Sequence, residues 1–193
     1  MDQEMTPAQS MEVIHRMIVE AKQSAQRSNY YFLLWGMLFA LAGLVDHVLH
    51  QQGITLHWLV WPAMGIIGTV GSSVHGAREG RRQGVMTMMD RVQMWLWIAF
   101  TVVLVLMIVL LVAKGLDPNP FVLVLTGMPT FITGMLMRFR PLMIGGLLFW
   151  VIGLTSAFVL PGYSSLIFSA GIVVGYIIPG LMLKRHEDGL RTT

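Results

Sequence analysis

Four residues of the kinds that ligate metals or exchange protons lie close together in this chain: Asp46, His47 and His50, and across a short turn His57. His47 and His50 are three apart and share a helical face, and a turn over 51–56 is short enough to return His57 beside them. Imidazoles with a carboxylate suit zinc, copper or nickel, and the same groups could serve a pH sensor. Against both readings, His and Asp collect at membrane boundaries simply because they tolerate water there. No second layer of residues that would orient the ligands is visible in the sequence, and such partners accompany working sites. The expectation is therefore no saturable binding at micromolar metal.

Other candidates carry less. Glu12-x-x-His15 matches half of a di-iron motif, but a single copy on a solvent-facing helix makes no site. Gly71-Ser72-Ser73 is not a nucleophile elbow, because no strand precedes it. His75 reads as interfacial. Arg78, Arg81, Arg82 and Arg91, with Glu79 among them, form a juxtamembrane cationic patch suited to anionic lipid headgroups or an acidic partner. The absence of cysteine excludes disulfides, thiolate metal sites and Cys nucleophiles. A net charge of +3, segregated along the chain, does not suit nucleic-acid binding. No residue pattern calls for a cofactor.

The elements that hold these residues follow from composition. Of 193 residues 55% are hydrophobic and 12% charged, and the mean hydropathy is +0.67. Such an apolar excess has to face lipid. Six runs, over 30–49, 57–74, 92–113, 120–137, 142–160 and 165–183, are each close to the roughly 20 residues that cross a hydrocarbon core of about 30 Å. The expected fold is an all-α integral membrane protein, six transmembrane helices in three antiparallel hairpins. A cytoplasmic amphipathic helix over 1–29 precedes them and a cytoplasmic tail over 184–193 follows. No second folded domain fits. The polar, mixed-charge first 28 residues do not read as a cleavable signal peptide.

Orientation comes from lysine and arginine, which favour the cytoplasmic side. Twelve of the thirteen fall before span one, between spans two and three, between four and five, or after six, and only Lys114 falls on the other side. Both termini are expected in the cytoplasm. Trp35, Trp58, Trp61, Trp95 and Trp97 near span ends read as an aromatic belt.

Local signals set the boundaries. Thr6-Pro7-Ala8-Gln9 has the form of a capping box, and Met11, Ile14, Met17, Ile18, Ala21 and Ala25 recur on one face of the helix it opens. With no Gly or Pro between Ala8 and Trp35, that helix should run into span one. Asn119 before Pro120 reads as an N-cap, Pro141 as the opening of span five, and Pro161-Gly162 as a turn. Pro129 should bend span four and free a carbonyl that Thr126 or Thr130 could satisfy.

Glycine decides packing in lipid, where small residues let backbones approach. Gly65, Gly68 and Gly71, Gly127 and Gly134, and Gly171 and Gly175 place spans two, four and six at the centre, with the Val- and Leu-rich third span outside. Gly36-Met37-Leu38-Phe39 with Gly43-Leu44 matches Gly146-Leu147-Leu148-Phe149 with Gly153-Leu154, a hint of hairpin repeats or of shared composition. The span centres contain no Asp, Glu, Lys, Arg or His, which argues against proton- or sodium-coupled transport and against a Schiff-base lysine. Polar atoms at depth are hydroxyls, chiefly Thr69, Thr101, Thr126, Thr130, Thr133, Thr155, Ser156, Ser169 and Tyr176.

Three segments carry a resemblance. They are the polar N-terminal helix leading into Tyr30-Tyr31-Phe32-Leu33-Leu34-Trp35-Gly36, the stretch from Leu136 through Arg138-Phe139-Arg140-Pro141 to Gly146, and Gly175-Tyr176-Ile177-Ile178-Pro179-Gly180 before Lys184. In these the chain resembles a group of small, uncharacterised bacterial six-helix membrane proteins, over nearly its whole length. A weaker, compositional likeness is to the three-hairpin acid-resistance membrane proteins. The resemblance implies a multi-pass inner-membrane protein and brings no activity or catalytic residue.

Two kinds of function remain. The first is a non-enzymatic inner-membrane protein acting by helix packing, as regulator, assembly partner or stress-related scaffold, with lipid headgroups, a second copy or another membrane protein as partner. The second is a facilitator or channel for a small solute, its path lined by hydroxyls and backbone carbonyls. A water-accessible cavity reaching Thr130 or Tyr176 would favour the facilitator, and a solid glycine-packed centre the scaffold.

Overall fold

A computed structural model describes residues 7–80, 88–158 and 161–182, and among these every regular element is helical. In chain order the α-helices are α1 (Pro7–Gln51), α2 (Val60–Gly80), α3 (Met88–Ala113), α4 (Asn119–Leu136), α5 (Arg140–Phe158) and α6 (Ser164–Ile172). α6 passes through a π-helical stretch, Val173–Ile177, and helix continues to Met182. Five stretches are long and apolar enough to cross a membrane: Tyr30–Gln51, Met88–Ala113, Asn119–Leu136, Arg140–Phe158 and Ser164–Met182. The sixth helix, α2, has 21 residues but is diluted by Gly, Ser and His. Thr6, Arg81, Arg82 and the 184–193 tail lie outside the described residues.

The uninterrupted sequence after Ala8 gives one helix of 45 residues, so the expected cytoplasmic helix and span one are a single rod, α1. α2 begins later than the apolar run, because His57–Leu59 forms a 3-10 turn first, and it extends beyond Val74 to Gly80. Asn119 is not the N-cap of α4. Pro118 holds that position, Asn119 is the first helical residue, and its backbone N–H donates to Asp117 Oδ1 at 3.0 Å. The Asn119 side chain is thereby released for a tertiary contact. In α4, Thr126 donates to the Val122 carbonyl at 2.6 Å and Thr130 to the Thr126 carbonyl at 2.7 Å. Neither reaches the Leu125 carbonyl, whose usual N–H partner Pro129 lacks. The π turn of α6 immediately precedes Pro179, whose ring would press on the Gly175 carbonyl in a regular α-helix; widening the helix there relieves the clash.

The centre is built by α4, α5 and α6. α4 and α5 lie antiparallel at backbone contact: a Cβ on Gly146 would stand 2.7 Å from Phe131 N, and one on Gly134 2.7 Å from Met143 N. α5 meets α6 where a Cβ on Gly145 would stand 2.5 Å from the Gly175 carbonyl oxygen. Leu123, Leu142, Phe149, Phe168 and Ile172 fill the space between, with Phe32 of α1. α3 lies along α4 with Leu111 its single buried residue.

The expectation that span two is central fails. The chief neighbour of α2 is α1. A Cβ on Gly65 would find nothing within 4 Å, one on Gly68 would meet the Trp35 ring, and one on Gly71 would lie 3.3 Å from Leu34. The central place belongs instead to α5, whose Gly145, Gly146 and Gly153 are all buried. The matched glycine pairs of α1 and α5 play parallel parts. Gly36 and Gly43 receive α6, through Ile177 and Ser165, whereas Gly146 and Gly153 receive α4, through Phe131 and Val124.

Candidate functional site

Three connections meet at one end of the bundle, and their polar side chains form a chain of contacts. Asp46, near the C-terminus of α1, is 5% exposed. Its Oδ1 lies 2.7 Å from His57 Nδ1, in the 3-10 turn before α2, and its Oδ2 accepts from Ser165 Oγ at 2.6 Å. Asn119 Nδ2, at the start of α4, donates to the same Ser165 oxygen at 3.1 Å. His50, one turn after Asp46 on α1, places Nδ1 3.4 Å from His57 Nε2. The carboxylate therefore ties the starts of α2 and α6 to the end of α1, and Ser165 extends the tie to α4. Its place beside the first turn of α6 also sets a negative group near a helix N-terminus.

Asp46 is held here because the helical period of α1 turns it inward, toward the partner that Gly43 admits. Gly43 lies three residues before it, and a Cβ there would collide with Ser169 and Ser165 of α6. His57 is held because the 3-10 turn has its side chain only 28% exposed and aimed back at α1.

The four residues expected to share an ion do not converge as one ligand set. Both Asp46 oxygens are engaged, and His47 turns away, its ring centroid 6.2 Å from that of Tyr163. Among the described residues no group of three or more His, Cys, Asp or Glu is placed to hold a metal ion. Ser165 had no place in the sequence reading, and Asn119 entered it only as an N-cap. Their signal was weak: each sits at the first turn of a helix, where a polar residue is expected for capping anyway.

At the opposite end, His75 of α2 stacks on Tyr30 with ring centroids 3.8 Å apart, and Tyr31 meets it edge-on. Arg78 and Arg91 of the cationic patch are exposed at this end. Trp58 and Trp95 are exposed as a belt requires, whereas Trp35, Trp61 and Trp97 pack inward. Trp35 donates to Ser72 Oγ at 3.0 Å, Trp61 meets Phe168 and Trp97 meets Phe32. Thr69, Thr101, Thr155 and Ser169 bond carbonyls one turn back in their own helices. Mid-bundle, Tyr176 sits between Phe32 and Phe149, its hydroxyl 3.2 Å from Thr130 Oγ1.

The fold and its contacts define the class: an all-helical protein with several helices suited to a membrane. No family model, no curated protein and no solved structure matches the chain.

Proposed function

We propose that this chain is a six-span protein of a bacterial inner membrane, with both termini cytoplasmic, grouped with the small six-helix proteins it resembles. It acts without catalysis, through helix packing, as a regulator, assembly partner or stress-related scaffold. The observation that carries this reading is the closed centre. Where a solute path would have to run, Thr130 is fully buried, Tyr176 is 4% exposed, and the two side chains bond each other. Beside them α5 and α6 approach to backbone contact, a Cβ on Gly145 standing 2.5 Å from the Gly175 carbonyl oxygen.

Placing α2 across the membrane is supported by its partners on α1. Asp46 meets His57 at one end and Tyr30 stacks on His75 at the other. The sixteen-residue step from Tyr30 to Asp46 spans about 24 Å of helix, so α2 runs antiparallel to α1 over most of a bilayer's depth. Arg78, Arg91, Arg138 and Arg140 then share the side of anionic cytoplasmic headgroups. The apolar α3, exposed over most of its surface, faces lipid, a second copy or another membrane protein.

The reading is tested in vesicles of defined lipid holding the purified protein. Shrinkage rates under osmotic gradients of glycerol, urea and small ions should equal those of empty vesicles. A protein-dependent rate that falls on Tyr176→Trp would instead establish the facilitator.

A further inference from the structure

We infer that His50 and His57 form a two-histidine zinc site at the end of the bundle where the three connections meet, with Asp46 as the carboxylate that orients His57. Two observations carry this beyond the proximity of histidines. The first is spacing. Ligand nitrogens about 2.0–2.1 Å from a tetrahedral zinc stand roughly 3.3–3.4 Å apart, and His50 Nδ1 and His57 Nε2 stand 3.4 Å apart. Neighbouring ligands of a square-planar copper or nickel ion at similar bond lengths would stand only about 2.9 Å apart. The spacing matches that of a tetrahedral ion such as zinc.

The second is the layer behind the ligands. With its proton on Nδ1, toward Asp46 Oδ1, His57 keeps an Nε2 lone pair on the side facing His50. Asp46 is fixed in turn by Ser165, and Ser165 by Asn119. This is the carboxylate–histidine–metal arrangement of working zinc sites, drawn here from four separate elements. It supplies the orienting shell whose absence from the sequence argued against binding. His50 is exposed and His57 partly so, so an ion can enter from water. Two coordination positions remain for water or an exogenous ligand. His47, turned toward Tyr163, is not a ligand.

The inference rests on this local geometry and holds whether or not the chain acts as a scaffold. Its test is calorimetric titration of zinc into the full chain, purified in mild detergent after chelator treatment. The expected isotherm saturates near one ion per chain. It is abolished by His50→Ala, which sits at an exposed position and leaves the unliganded melting temperature unchanged, and it is retained by His47→Ala. Asp46→Asn should weaken binding by about 10- to 100-fold, and cobalt in place of zinc should give the intense visible bands of a tetrahedral ion. Absence of saturation, an isotherm indifferent to His50→Ala, or loss on His47→Ala would overturn it.

Discussion

Gly145→Leu should lower the thermal midpoint in mild detergent by roughly 10 °C, corresponding to about 3 kcal/mol at the few degrees per kcal/mol expected of a chain this size. The first added atom already fails to fit, because Cβ would stand 2.5 Å from the Gly175 carbonyl oxygen and 3.3 Å from its Cα. Both surfaces are backbone, so no rotamer relieves the overlap and α5 and α6 must separate. Separation opens the cluster of Phe149, Ile172 and Tyr176 at the middle of the bundle. Gly65→Leu is the matched control. Nothing lies within 4 Å of its Cβ position, and replacing a helical glycine gains about 1 kcal/mol of helix propensity. Its midpoint should stay or rise. Equal losses at the two positions would remove α5 from the centre.

Asp46→Ala should destabilise the bundle by about 2 kcal/mol, the scale of removing a buried, hydrogen-bonded carboxylate and leaving its donors unpaired. His57 Nδ1 and Ser165 Oγ both lose their acceptor, and with them the ties from α1 to the 3-10 turn and to α6. Ser165→Ala, which removes one of the two ties, should show about half the effect. Protease cleavage within 51–56 should accelerate in Asp46→Ala, because the His57 anchor of that turn is lost, and should change little in Ser165→Ala. Unaltered stability in Asp46→Ala would mean that the network is a surface arrangement without structural weight.

Five of the helices were legible because a membrane span needs length and apolarity, and runs of about 20 apolar residues are hard to disguise. Their neighbours were not. Glycine spacing signals that a helix face is bare, but not which helix fills it. Gly65-x-x-Gly68-x-x-Gly71 looked like a packing face and serves only a peripheral contact with α1, while Gly146 and Gly153 looked like a repeat and receive α4. The continuity of the N-terminal helix with span one in α1 was readable from the absence of Gly and Pro between Ala8 and Trp35. The Asp46 and His57 pairing was suggested by the short turn. Ser165 and Asn119 were not, because they come from helices 119 and 73 residues beyond Asp46 in sequence, and only the packing of α6 on α1 at Gly43, and of α4 on α6, brings them together.

The claim on which the account most depends is that α2 crosses the membrane, since it sets the span count and the side on which every later connection lies. Single cysteines at Gln52, Gly162, Met88 and Thr192, in a chain with none of its own, can be tested with an impermeant thiol reagent on intact cells and again after permeabilisation. The account predicts labelling at Gln52 and Gly162 from outside, and at Met88 and Thr192 only once the membrane is opened. Labelling of Gln52 and Met88 from the same side would contradict it.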